Sequence, residues 1–110
     1  MLIPARMETL ARLEQTIRDR RSASTDASYV ASLLARGLPT IARKLGEESV
    51  ETVIAALSGS REELVGEAAD VLFHLMVLLS VKDIPLSDVL AELDKREGTS
   101  GLAEKASRSA

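Results

Sequence analysis

Four carboxylates stand in mirror order about one turn. Glu48 and Glu51 form one pair, Glu67 and Asp70 another, and Ser58-Gly59-Ser60 lies between them. Glu51 is eight residues before Gly59 and Glu67 eight after it; Glu48 and Asp70 are each eleven away. Helical flanks folded back as a hairpin would bring all four acids to one height, about 12–16 Å from the turn at ~1.5 Å rise per residue. A fifth acid, Glu47, adjoins the first pair. Such a cluster repels itself unless a cation holds it, and hard divalent cations bind in all-oxygen cages of this kind.

Hydrophobic periodicity supports helices on both flanks and elsewhere. Met7, Leu10, Leu13 and Ile17 recur at three- and four-residue spacing, which predicts a helix over about 6–21. A polar break at 22–26 precedes a short helix carrying Tyr29, Val30, Leu33 and Leu34, which stops near Gly37. Pro39 suits the first turn of the next helix, where its missing N–H costs nothing. That helix carries Ile41, Leu45, Val50, Val53, Ile54 and Leu57 and runs to Ser58. Ser60-x-x-Glu63 reads as a capping box opening a helix over about 61–82. Pro85 closes the break at Lys82-Asp83, and Leu86, Val89, Leu90 and Leu93 mark a last helix to about 97. The remainder, 98–110, is rich in Gly, Ser and Ala and is expected to be a mobile tail.

The chain therefore reads as all-α: a four- to five-helix bundle-like domain over 1–97. Aromatic residues make up only 2% of it, so Leu, Val, Ile and Ala must fill the core, which favours packed helices over a β-sandwich. The stretch 68–81 is apolar around most of its circumference and needs cover on all sides. The other helices supply little, so a homodimer is the expected way to complete the core.

Composition excludes several classes. A net charge of −3 gives no basic footprint for duplex nucleic acid. The absence of cysteine removes disulfides, zinc thiolates and a thiol nucleophile. The first six residues carry no hydrophobic run of signal-peptide length. The longest apolar stretch, Val71 to Leu79, is interrupted by His74 and is too short to span a bilayer. A cytoplasmic protein with no membrane partner is the expectation.

The acids also limit the metal. With one histidine and no thiolate, zinc and copper are poorly served. A di-iron bundle would want histidine three residues after the glutamate, where this chain has Asp70. Carboxylate and water suit Mg²⁺, with Mn²⁺ as a second choice, and magnesium sites commonly include substrate phosphates. Lys44 and His74 both lie fifteen residues from Gly59, one level beyond the acids. Lys44 would either hold a phosphate or pair with Glu47 or Glu48. His74 would either orient Asp70 or sit in the core bonded to it.

Lys44-Leu-Gly-Glu-Glu-Ser-Val-Glu51, followed by Glu67-Ala-Ala-Asp70-Val-Leu-Phe-His74, resembles the phosphoribosyl-ATP pyrophosphatase family, part of the all-α nucleotide pyrophosphohydrolases. Ser28-Tyr29, with Leu33-Leu34 and Gly37, is similar to that family's segment ahead of the site. Glu92-Leu93 with Arg96, Ser100-Gly101-Leu102 and Glu104-Lys105-Ala106-Ser107-Arg108 are similar to its C-terminal end. The resemblance implies Mg²⁺-dependent hydrolysis of phosphoribosyl-ATP to phosphoribosyl-AMP and pyrophosphate, the second step of histidine biosynthesis, in a helical homodimer. It implies Glu48, Glu51, Glu67 and Asp70 as metal ligands, with Glu47 a further ligand or the base that takes the proton from water. Lys44, Arg96, Lys105 and Arg108 would meet the phosphates, and Arg20 is a weaker choice. Two rivals stand beside this reading. One is a house-cleaning dNTP pyrophosphohydrolase of the same fold; the other is a non-catalytic helical dimerisation module with solvated acids.

Overall fold

The computed structural model describes residues 8–25 and 28–97. Five helices follow in order: α1 (Glu8–Arg20), α2 (Tyr29–Arg36), α3 (Leu38–Ser58), α4 (Arg61–Val81) and α5 (Leu86–Glu97). No strand occurs among the described residues. The expected tail and the start of the first expected helix lie outside them.

The helix ends follow from local chemistry. The Ser28 hydroxyl accepts from Ala31 N–H at 3.3 Å and caps α2. Gly37 ends α2 and opens α3 at φ 93°, a left-handed conformation that favours a residue without Cβ. Pro39 sits in the first turn of α3. The Ser60 hydroxyl accepts from Glu63 N–H at 3.1 Å and starts α4. Between α3 and α4, Gly59 is extended, and its role is close approach. A Cβ there would lie 3.0 Å from the Ala55 carbonyl oxygen and 2.9 Å from Glu63 Oε2.

α3 and α4 form the main antiparallel hairpin, with α1 against α4 and α2 against α3. The core gathers Ile17, Val30, Leu33, Ile41, Met76 and Val77. Ile17 comes from α1, Val30 and Leu33 from α2, and Ile41, Met76 and Val77 from the first part of α3 and the last part of α4, the ends of the hairpin remote from Gly59. Nearer the turn, Ala55 is the only buried residue of 45–70. The hairpin therefore extends beyond its own core as a two-helix arm, and the four acids lie on that arm. α5 is tied back to α1, where the Glu14 carboxylate accepts from Leu86 N–H at 2.6 Å. Arg21 pairs with Asp83 at 3.4 Å beside the same junction.

Cover was expected to be lacking around 68–81, and of that stretch only His74, Met76 and Val77 are buried. The most exposed apolar face is on α3, where Val50, Val53, Ile54 and Leu57 are more than half exposed, as is Val65 of α4. Those α3 positions repeat at helical spacing and form an apolar stripe directed away from the chain's own core. The expectation that changes concerns length. α4 as a whole is long and apolar enough to cross a membrane, although Val71 to Leu79 alone is not. Its cluster-forming carboxylates, Glu67 and Asp70, gather with Glu48 of α3 instead of lying in an apolar run.

Gly59→Ala tests the turn. The added methyl meets backbone, which cannot swing aside as a flexible side chain would. A loss of about 1–3 kcal/mol in unfolding free energy is expected from urea denaturation, in the range of an overpacked site.

Candidate metal centre

Helical spacing on each arm of the hairpin aims its acids at the other arm. Glu48 on α3 and Glu67 and Asp70 on α4 offer carboxylate oxygens that all lie within 4.8 Å of one another. Glu51 lies within hydrogen-bonding reach of both Glu48 and Glu67. Glu48 and Glu67 are half-buried, whereas Glu51 and Asp70 are exposed. The cage thus has an inner pair and an outer pair.

The inner pair carries the electrostatic cost. Glu67 is pushed up from 4.5 to about 7, first by the hydrogen bond it shares with Glu51, then by burial and by the charges of Glu51, Glu48 and Asp70. Glu48 is also raised, by burial first and then by Glu51 and Asp70, with His74 acting in the opposite direction. Two buried oxygens, Glu48 Oε2 and Glu67 Oε2, have no hydrogen-bond partner. A buried acceptor without a donor costs about 1–3 kcal/mol, and more when it is charged. A cation satisfies such oxygens where no donor reaches them. The donor set is entirely carboxylate oxygen and so suits a hard divalent ion.

His74 is buried and turned to other partners. Its Nδ1 lies 2.7 Å from the Asp70 backbone oxygen, one turn earlier on α4. Its Nε2 lies 3.1 Å from the Tyr29 hydroxyl. The histidine is therefore a core residue that touches Asp70 through the main chain. Phe73 and Tyr29 pack around the ring, with Tyr29 stacked on Phe73 at 5.8 Å between centroids.

The other residues singled out from the sequence are placed as follows. Glu47 is exposed and pairs with Arg43 at 3.5 Å and with Lys44 at 3.8 Å. Lys44 thus takes the surface pairing, with Glu47 as its partner. Glu47 and Glu51 border one open hollow together with Arg43, Gly46 and Val50. A second hollow on the turn side runs from Glu51 and Glu67 to Gly59 and Glu63. Arg96 pairs with Glu92 at 3.1 Å on α5. It lines a hollow with Ile84, Asp88 and Leu93 that includes none of the four acids. Arg20 is exposed in the last turn of α1. Lys105 and Arg108 lie outside the described residues. Sequence reasoning passed over Arg43, whose only signal was its position four residues before Glu47. It also gave no contact for Tyr29, whose hydroxyl bond to His74 crosses between helices.

The raised acids fix a pH dependence. Protonation favours the folded cage over the unfolded chain, so their contribution is full below about 4.5 and lost as pH rises through about 7. The thermal midpoint of the metal-free protein is expected to fall over that window, and Glu67→Gln should flatten the fall. An equally steep fall in the variant would remove Glu67 as its source.

Known proteins give the arrangement its relatives. Residues 10–97 match the phosphoribosyl-ATP pyrophosphohydrolase family. A phosphoribosyl-ATP pyrophosphatase of Novosphingobium aromaticivorans is 70% identical over 102 residues, covering 93% of this chain and 95% of its own. One from Rhizorhabdus wittichii is 66% identical over 100 residues, covering 91% and 94%. One from Dinoroseobacter shibae is 55% identical over 102 residues, covering 93% and 100%. From its match over residues 10–97 and these near-full-length likenesses, the chain belongs to the phosphoribosyl-ATP pyrophosphohydrolase family, a family of hydrolases.

Proposed function

We propose that this chain hydrolyses phosphoribosyl-ATP to phosphoribosyl-AMP and pyrophosphate with Mg²⁺, in histidine biosynthesis, as a cytoplasmic homodimer. The observation that carries the reading is the pair of buried, partnerless oxygens on Glu48 and Glu67 inside a four-carboxylate cage. The names of the relatives supply the substrate.

Glu48, Glu51, Glu67 and Asp70 hold the ion. When bound, Mg²⁺ neutralises triphosphate charge and lowers the pKa of water. Water oxygen attacks phosphorus at the α–β anhydride, the P–O bond to pyrophosphate breaks, and the water's proton passes to a carboxylate. Glu47 suits that last role, because it borders the open hollow with Glu51 while Glu48 is turned into the cage. Lys44, already beside Glu47, exchanges that pairing for phosphate. Arg43 in the same hollow adds a second positive charge. Arg96, Lys105 and Arg108 are assigned to phosphate binding by resemblance alone.

The homodimer rests on the uncovered stripe of α3. Leu57 is 83% exposed and Val50, Val53 and Ile54 are each above 55%. Burial is worth about 25 cal/mol per Å² of apolar surface, and a second copy of the same stripe gives a self-complementary contact. Val53→Asp should therefore yield monomers in sedimentation analysis. An unchanged dimer would move the interface elsewhere.

Activity is tested by offering phosphoribosyl-ATP, ATP and the dNTPs with Mg²⁺ and assaying pyrophosphate. Release from phosphoribosyl-ATP is expected to exceed the others by orders of magnitude. Preference for a dNTP would give the house-cleaning reading, and no release at all would favour the non-catalytic module. Glu51→Gln and Asp70→Asn should each lower turnover at least a hundredfold. Each removes a ligand charge yet relieves repulsion in the metal-free cage, so the metal-free thermal midpoint should hold or rise. Full activity in both variants would take these residues out of the metal shell.

A further inference from the structure

One hollow takes no part in the site described above. It lies where α1, the end of α4 and the start of α5 meet, and measures about 270 Å³. Met76 in its wall is nine residues after Glu67, and Leu79 is nine after Asp70. Nine residues at about 100° each carry a side chain to the opposite side of a helix, and about 14 Å along it. The hollow is therefore on the face of α4 turned away from the carboxylate cage.

Its lining combines three kinds of surface. Met76, Leu79, Ile84, Pro85 and Leu86 make an apolar wall, of which Leu79 and Leu86 pack on the core. Arg18 and Arg21 bring positive charge from the end of α1 and the turn after it. Glu14 and Asp83 bring negative charge. These charges leave one another largely unspent. Arg18 stands one turn after Glu14, where the two would ordinarily pair, but one Glu14 oxygen accepts from Leu86 N–H at 2.6 Å. The Arg18 guanidinium has no partner among the described residues. Arg21 reaches the Ser80 carbonyl and Asp83 with a single nitrogen, both at 3.4 Å, and a guanidinium has five N–H donors. Asp83 meets Arg21 through one oxygen, and its side chain is 80% exposed. It holds that carboxylate at φ 56°, in a position after a helix where glycine is the commonest residue.

We infer that this hollow binds a free α-amino acid with an apolar side chain. The ligand's carboxylate takes the two arginines. Its ammonium takes Asp83 and the second Glu14 oxygen, and its side chain lies on Met76, Leu79 and Leu86. A simple anion would meet Glu14 and Asp83, and a simple cation would meet the arginines. Only a molecule carrying both signs satisfies both pairs. Size agrees, because pockets for drug-sized ligands run about 300–1,000 Å³, so this one suits a molecule smaller than a nucleotide. Bound there, the ligand ties α1 and α4 to α5, which has no buried residue of its own. The inference is independent of the activity proposed above.

The test is amide-resolved NMR of the full metal-free chain with L-leucine, L-methionine or L-phenylalanine at about 10 mM, tenfold above a Kd of ~1 mM. Shifts are expected at Arg18, Leu79, Asp83 and Leu86, with Glu48, Glu51 and Asp70 unmoved. N-acetylleucine lacks the ammonium and leucinamide lacks the carboxylate, so each should bind at least about tenfold more weakly than leucine, the span of one charge-assisted hydrogen bond. Arg18→Gln and Asp83→Asn should weaken leucine binding to the same degree. Arg18 is exposed and Asn also adopts the left-handed conformation, so both variants should fold, which unmoved amides of Ile17, Ile41 and Val77 would verify. If either variant unfolds, the two leucine derivatives decide. No shift with any of the three amino acids, or shifts confined to the cage, would overturn the inference. N-acetylleucine binding as tightly as leucine would overturn it in favour of a plain anion site. Leucine binding unchanged in a folded Arg18→Gln would overturn it as well.

Discussion

The register of α3 against α4 is the constraint on which the rest depends. Gly59 sets it, because the last turn of α3 and the first of α4 approach so closely that a Cβ would meet Ala55 backbone. From that fixed point the positions of the acids are arithmetic. Equal spacing outward on two antiparallel helices returns Glu51 to the level of Glu67 and Glu48 to the level of Asp70. A slip of one residue would rotate one pair by about 100° and scatter the cage. The core at the other end of the hairpin, built on Ile41, Met76 and Val77, holds the same register from its far side.

That register brings together groups that repel. Glu67 answers by holding its proton to about 7, sharing a hydrogen bond with Glu51. Glu48 and Glu67 each still carry one buried oxygen with no donor. A chain selected only for stability would place donors there or turn the acids outward. Half-buried carboxylates kept without donors mark a place where local stability has yielded to binding, and this is where perturbed acids tend to gather.

Much of this was legible in the sequence, for identifiable reasons. Periodicity located all five helices, because apolar spacing and the Ser60, Pro39 and Pro85 punctuation agreed. The cage was legible because mirror spacing about a glycine turn fixes height without knowledge of packing. Other features depended on which partner a side chain meets across helices, and spacing within one helix is silent on that. His74 bonding to Tyr29 and Glu14 capping α5 are of this kind. The α3 stripe was visible as an apolar period, but only the structure reveals that it faces away from the core. Periodicity gives a helix its two faces without stating which one the chain itself will cover.

The arm beyond the core is built inside out. Glu48 and Glu67 turn toward each other between the helices, while Val50, Val53, Ile54, Leu57 and Val65 stand more than half exposed. An isolated soluble hairpin would reverse this, burying its apolar stripe and solvating its acids. The inversion leaves two separate debts of free energy, one inside and one outside. A cation relieves the first by supplying charge to the unpaired oxygens, and apolar cover relieves the second. Neither substitutes for the other, since a cation does nothing for Leu57 and a helix packed on Leu57 brings no charge to Glu67. In the proposed assembly both are met on the same two-helix arm, so each stabilises the geometry the other requires. Metal binding and association would then be linked, because both act on one register. The core formed by Ile17, Leu33, Ile41 and Val77 lies apart from both, fully buried within one chain.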